Sequence, residues 1–296
     1  MSTTRTVTVI DGGLSTALEE LGADIDGPLW TAKVVANAPD LLARAHRAFV
    51  DAGSRIVTTA SYQCGVEAID MGATVAIARE AVGDRAAVAA SVGPFGAGLA
   101  DGSEYTGDYR VDGLPVDWTT VEQYHRDKIP ALLEAGPDLV AVETIPLARE
   151  AAVIRRILEE NGSPPAWFSF GCTTSGSGAR CVTYGGDSVE RAVESVAGYG
   201  RLVAVGVNCS HPLDVTAALR RMRAAAPTVS LVAYPNHGRV WDATNRRWRG
   251  EGPLVPSGSI LAEWIDLGVT HVGGCCGVGP DAIAELAGEL ERIMAP

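Results

Sequence analysis

Cys209, in the segment GVNCS, and the adjacent pair Cys275–Cys276, in GGCCG, are the residues of this chain best suited to chemistry. Each group closes an apolar, β-branched run, and the two runs lie far apart in sequence. Three thiolates gathered from such positions, with no evident fourth protein ligand, suit an open catalytic zinc site. A thiol entering the remaining position would lose its proton and stay nucleophilic, because an anionic zinc site withdraws little electron density. The competing reading is buried structural cysteines, which are common in cores. A vicinal pair among glycines at a strand end fits that reading poorly.

The other thiols and imidazoles weigh differently. Cys172 ends a strand run on the same side and could approach the site, but packing is the better reading for it and for Cys64 and Cys181. His271 stands four residues before Cys275 on an extended run, too far along the strand to share a metal with it. His211 and His237 follow strand ends and stay open as a fourth ligand. His46 and His125 fall in helical segments and read as surface or packing residues. Asp11 in IDGG, Glu143 in VETIP, and Thr58 with Thr59 in VTTASYQ stand at or near strand ends. An α-amino acid needs an anion beside its ammonium and donors beside its carboxylate. Asp11 and Glu143 meet the first need, and the glycine-turn amides the second. Against this, Asp11 could cap the first helix and Glu143 could form a structural ion pair.

Eight runs dense in Val, Ala and Ile carry these residues: Val7–Asp11, Ile56–Ser61, Ala87–Gly93, Leu139–Thr144, Trp167–Cys172, Leu202–Cys209, Val229–Tyr234 and His271–Cys275. They read as parallel strands buried on both faces. Between them lie helical segments, among them Pro39–Ala52 behind an Asn37 cap, Val121–Ala135 and Leu147–Glu160, with Gly, Pro or Asn at their ends. The alternation predicts an α/β fold of the (β/α)8 TIM-barrel type, in a single domain over residues 1–296. Under that reading Cys209 ends strand six and the cysteine pair ends strand eight. Gly273, Gly274 and Gly277 would then let the strand break so that both neighbours reach one metal. Two long connections, residues 94–118 and 234–256, follow strands and belong to the catalytic face of the barrel.

The composition of 296 residues, 47% hydrophobic, allows a large core. A net charge of −12 argues against nucleic acid as a partner. No apolar run suggests a membrane span, and six cysteines in so long a chain do not make a disulfide scaffold. A cytoplasmic protein acting on small molecules is expected.

DGG near the N-terminus, GVNCS and GGCCG together resemble the homocysteine S-methyltransferase family, and the likeness runs along almost the whole chain. LWTAKV (Leu29–Val34), SVGPFGAGLADGSEYTGDY (Ser91–Tyr109) and YPNHGRVWDATNRRW (Tyr234–Trp248) look like its branch using S-methylmethionine or S-adenosylmethionine. The resemblance implies a barrel with Zn2+ on Cys209, Cys275 and Cys276, and homocysteine completing the metal shell. It also implies Asp11 and Glu143 at the homocysteine amino group, and direct transfer from a small sulfonium donor. A sulfonium seeks aromatic faces, for which Tyr62, Phe95, Tyr105, Tyr109 and Tyr234 are candidates. Three other readings compete: a selenol or different thiol as acceptor, a non-catalytic zinc or thiol-binding barrel, and GGCCGVGP as a phosphate loop.

Overall fold

The structure, a computed structural model, describes residues 6–25, 30–162, 164–174, 180–238, 240–242, 247–249, 256 and 258–295. All eight anticipated runs form strands of one parallel sheet. In chain order they are β1 (Thr8–Val9), β2 (Ile56–Thr58), β3 (Ala87–Val92), β4 (Leu139–Ile145), β5 (Ala166–Phe170), β6 (Leu202–Asn208), β7 (Leu231–Tyr234) and β8 (Val269–Val272). Each pairs with its sequence neighbours, β8 pairs with β1, and a parallel bridge between Ile10 and Ile56 joins β1 to β2. The sheet therefore closes into a (β/α)8 barrel.

Alternation along these strands sorts the side chains into two cores. Val9, Val57, Val88, Ala90, Val140, Val142, Phe168 and Val205 face outward and pack under the helices. Ile10, Ile56, Ala89, Leu139, Ala141, Trp167, Ala204 and Val232 face inward and fill the barrel. One indole set among alanines fills a narrow interior. Two residues further up, the same inward face turns polar at Thr58, Ser91, Glu143, Ser169 and Tyr234, and on β6 it does so four residues up, at Asn208. The barrel is thus sealed below and chemically equipped above.

The helices run close to the expected bounds: Pro39–Asp51, Trp118–Glu134 and Ala148–Glu160. The expected Asn37 cap is corrected. Asn37 ends the preceding helix, Trp30–Asn37, and the N-cap is Ala38, which makes no side-chain cap bond. Asp40 in the first turn supplies the favourable charge instead. The connection after β3 is ordered, with a helical turn Phe95–Leu99, a 3-10 turn Ser103–Tyr105 and a small hairpin of Arg110–Val111 with Leu114–Pro115. In the connection after β7, Val240–Asp242 pairs with Arg247–Arg249. Residues 239, 243–246 and 250–255 of that expected loop lie outside the described residues. Among the described residues no helix is long and apolar enough to cross a membrane.

Candidate active site

The mouth of the barrel brings the predicted thiols together. Cys209 Sγ lies 3.6 Å from Cys276 Sγ, and Cys276 Sγ lies 4.0 Å from Cys275 Sγ. All three sulfurs fall within 4.8 Å of one another. Tetrahedral thiolates at the usual zinc–sulfur distance would sit about 3.8 Å apart, so the cluster fits a metal ion with little rearrangement. No histidine joins it among the described residues. His211 Nδ1 instead caps the helix Pro212–Ala225 by accepting from Leu213 N–H. The His237 ring packs over Gly277. Cys64, Cys172 and Cys181 lie in the apolar core outside the cluster.

The two arms of the cluster are built differently. Cys209 immediately follows β6 with φ at 47°, in the left-handed region that costs a non-glycine residue roughly 1–3 kcal/mol. Its N–H donates to Tyr234 O, while its carbonyl accepts from Tyr184 Oη and Asn236 Nδ2. Those bonds hold the strained turn and aim the thiol across the mouth. Thr144, after Glu143 on β4, has φ at 58°. The Asn208 amide ties β6 to this irregular stretch of β4, accepting from Thr144 N–H and donating to Thr144 Oγ1 at 2.7 Å each.

On the other arm β8 ends at Val272, three residues before Cys275 and earlier than expected. Only Gly277 has positive φ, at 77°. Gly273 has another role, since a Cβ there would stand 2.6 Å from Asp11 O. The glycines of this loop and of the DGG segment therefore let two backbones touch. Gly13 N–H donates to Val278 O and Gly274 N–H to Asp11 O. That contact sets the acidic residue beside the thiols.

Asp11 is 2% exposed and does not cap the first helix, whose N-cap is Gly13. Its carboxylate accepts from Thr58 N–H at 2.7 Å and from Thr58 Oγ1 at 3.1 Å. Burial, joined by the charge of Glu143, pushes the Asp11 carboxyl up to about 8. Burial likewise raises Glu143 to about 7, against hydrogen bonds from Ser91 Oγ and Tyr234. No cationic side chain forms an ion pair with Glu143 among the described residues, although the charge of the buried Lys128 also pulls its carboxyl down. The Thr59 hydroxyl binds Ser61 Oγ and accepts from Ser91 N–H. Cys209 is pushed well below the usual thiol range, because the Cys275 and Cys276 thiols, with Tyr105, hydrogen-bond to its sulfur.

These groups line one cleft enclosing about 780 Å³ of atom-free space, its open mouth included. The five aromatic candidates sort themselves there. Phe95 and Tyr109 pack in a small core under the loop, with ring centroids 5.5 Å apart. Tyr234 lines the cleft, and its hydroxyl is engaged by Trp167 Nε1, Ser169 Oγ and Glu143. Tyr62 and Tyr105 also line the cleft, and Tyr105 Oη stands 3.6 Å from Cys209 Sγ. Asn208, Ser91 and Glu104 were missed as site residues. The period-two pattern of β3 and β6 pointed to the first two, and a lone acid in a long loop after a strand pointed to the third.

A closed α/β barrel with a trithiol cluster beside buried carboxyls is an arrangement that could hold a metal ion at an enzyme's active face. The sequence model of the homocysteine S-methyltransferase family matches residues 8–290, and this chain belongs to that family. It is 34% identical to homocysteine S-methyltransferase 1 of Brassica oleracea var. italica, over 96% of this chain and 93% of that relative. It is also 34% identical to the selenocysteine Se-methyltransferase of the same plant, over 93% of this chain and 86% of that one. Among solved structures, the metallated form of the homocysteine methyltransferase MmuM from Escherichia coli superposes with a TM-score of 0.79. Its identity is 32%, with 95% of this chain and 96% of that one covered.

Proposed function

We propose that the protein transfers a methyl group from a sulfonium donor, S-methylmethionine or S-adenosylmethionine, to the thiol of L-homocysteine, giving methionine. The observation that carries this reading is the convergence of Cys209, Cys275 and Cys276 beside Asp11 and Glu143 in one cleft. Cys209, Cys275 and Cys276 would hold Zn2+, which supplies a deprotonated acceptor thiol at neutral pH. Asp11 and Glu143, ionised on binding, would hold the homocysteine ammonium, with Thr58 fixing Asp11 and Ser91 fixing Glu143. Thr59 would act one step removed, by holding Ser61 and the β3 backbone. The amino group so fixed orients the acceptor sulfur toward the donor methyl, and that alignment supplies part of the rate. Charge is neutralised as the methyl moves, so a dry cleft favours the step. Both reactants are small molecules, and residues 1–296 act as one catalytic domain.

A selenol acceptor is a second reading, favoured by equal identity to the selenocysteine enzyme. The test is a methyl-transfer assay with homocysteine and selenocysteine against S-methylmethionine, S-adenosylmethionine and betaine, with metal analysis of the same sample. Turnover with a sulfonium donor in proportion to bound zinc is expected. Full activity in metal-free protein, or turnover with betaine alone, overturns the reading.

A further inference from the structure

One carboxylate at the cleft has no part in the scheme above. Glu104 lies in the 3-10 turn Ser103–Tyr105, is 6% exposed, and lines the cleft with the three cysteines. Its Oε2 has no hydrogen-bond partner among the described residues. A buried carboxylate without a partner is costly, and such a group in a native site calls for an explanation. Burial, joined by the charges of Cys209 and Asp101, raises its carboxyl to about 7, so a cation is what would hold it fully ionised.

Nor is Glu104 a surface side chain that happens to fold inward. Both ends of its loop are tied to one buried carboxylate, that of Glu150. Glu150 Oε1 accepts from Phe95 N–H at 2.7 Å and contacts His125 Nε2 at 2.9 Å, while Oε2 accepts from Tyr109 Oη at 2.5 Å. Within the loop, Ser103 N–H donates to Asp101 Oδ1 and Gly107 N–H to Ser103 O. The turn is therefore held in place before any ligand arrives. What a fixed, buried carboxylate with one unpartnered oxygen accepts is a cation.

We propose that Glu104 is the counter-ion of the methyl donor's sulfonium, leaving the homocysteine ammonium to Asp11 and Glu143. This rests on the sulfonium-donor reading above. In the transfer the donor S–CH3 bond breaks, its electron pair stays on the donor sulfur, and a new S–CH3 bond forms at the acceptor. The donor sulfur ends as a neutral thioether, so its attraction to Glu104 is full in the bound complex and gone in the product. Glu104 thus strengthens donor binding more than it stabilises the transition state, and it lets the product leave. It also disfavours donors whose methyl-bearing centre carries no charge.

The test is Glu104→Gln, which keeps the shape and removes the charge. Initial rates are measured with S-methylmethionine and with S-adenosylmethionine at saturating homocysteine, alongside homocysteine affinity by calorimetry and zinc content. The expected result is a donor KM raised about tenfold or more for both sulfonium compounds, with kcat within about threefold. Homocysteine affinity and zinc content stay at the wild-type level, and Glu104→Asp recovers part of the donor KM. An unchanged donor KM overturns the proposal, and so does an equal loss of homocysteine affinity or a loss of zinc. Failure of the donor reading shows separately, as a wild-type protein that turns over neither sulfonium compound, and it takes the proposal with it.

Discussion

The lower interior of the barrel and its mouth are made by the same eight strands with the same alternation, yet they obey opposite rules. Below, Trp167 fills space against Ala89, Ala141 and Ala204, with the indole N–H satisfied by Tyr234 Oη. Above, the inward positions carry Ser91, Glu143 and Asn208, and the residues that follow the last two, Thr144 and Cys209, hold strained backbone. The lower layer maximises contact. The upper layer keeps carboxyls buried without an ion pair among the described residues and thiols crowded against one another, arrangements that weaken the ligand-free fold. Stability and chemistry are thus divided by height within one barrel, and variants at the two levels should fail in different ways.

The largest effect expected is Cys276→Ser. It should lower methyl transfer by about a thousandfold or more, since a catalytic metal loses one of three protein ligands. Zinc content should fall with it while the circular dichroism of the barrel is kept, and retained zinc with retained activity would contradict the cluster. Trp167→Ala should do the reverse. Removing a fully buried indole costs about 3–5 kcal/mol, read as a lower denaturant midpoint, while the surviving folded fraction still binds zinc. A variant of unchanged stability would mean that the lower layer does not act as core.

Asp11→Asn sharpens the division further. Because burial raises the folded Asp11 carboxyl from 3.8 to about 8, the native state binds that proton more tightly than the unfolded chain does. Wild-type stability therefore declines as pH rises from the unfolded value through the folded one, and the uncharged amide of the variant escapes that decline. The variant should melt higher than wild type at pH about 8 and bind homocysteine far more weakly. Equal melting at that pH would mean that Asp11 is ionised without penalty. The smallest effect is in the wild type itself. Homocysteine affinity should rise as pH climbs through the Glu143 value of about 7, since the ammonium needs ionised carboxylates. A flat profile between pH about 6 and about 8 would remove Glu143 from amino-group binding.

Much of this was legible in the amino-acid sequence because it depends on local rules. Buried parallel strands must be apolar on both faces, so β3, β4 and β6 stood out by composition. Two distant groups of thiols at strand ends announced a metal cluster, since strand ends of a barrel share one rim. The inward change from Ala141 to Glu143 on β4 is a period-two signal of the same kind. The cap of the helix Pro39–Asp51 was misread because Asn37 has the chemistry of a cap, while the helix before it claimed the residue. The glycines around Cys275 were read as hinges, whereas the close approach of the Asp11 segment is what requires Gly273.

The eight-strand alternation, the thiol set and the acids at the strand ends can be read from residue order alone, because periodicity and residue chemistry are written along the chain. Only the tertiary structure decided that Asp11 is held by Thr58, that Thr144 and Cys209 share the Asn208 amide, and that Glu104 is buried with an unpartnered oxygen. Those facts depend on which surfaces meet once the barrel closes and water is excluded, and no spacing along a single chain encodes that.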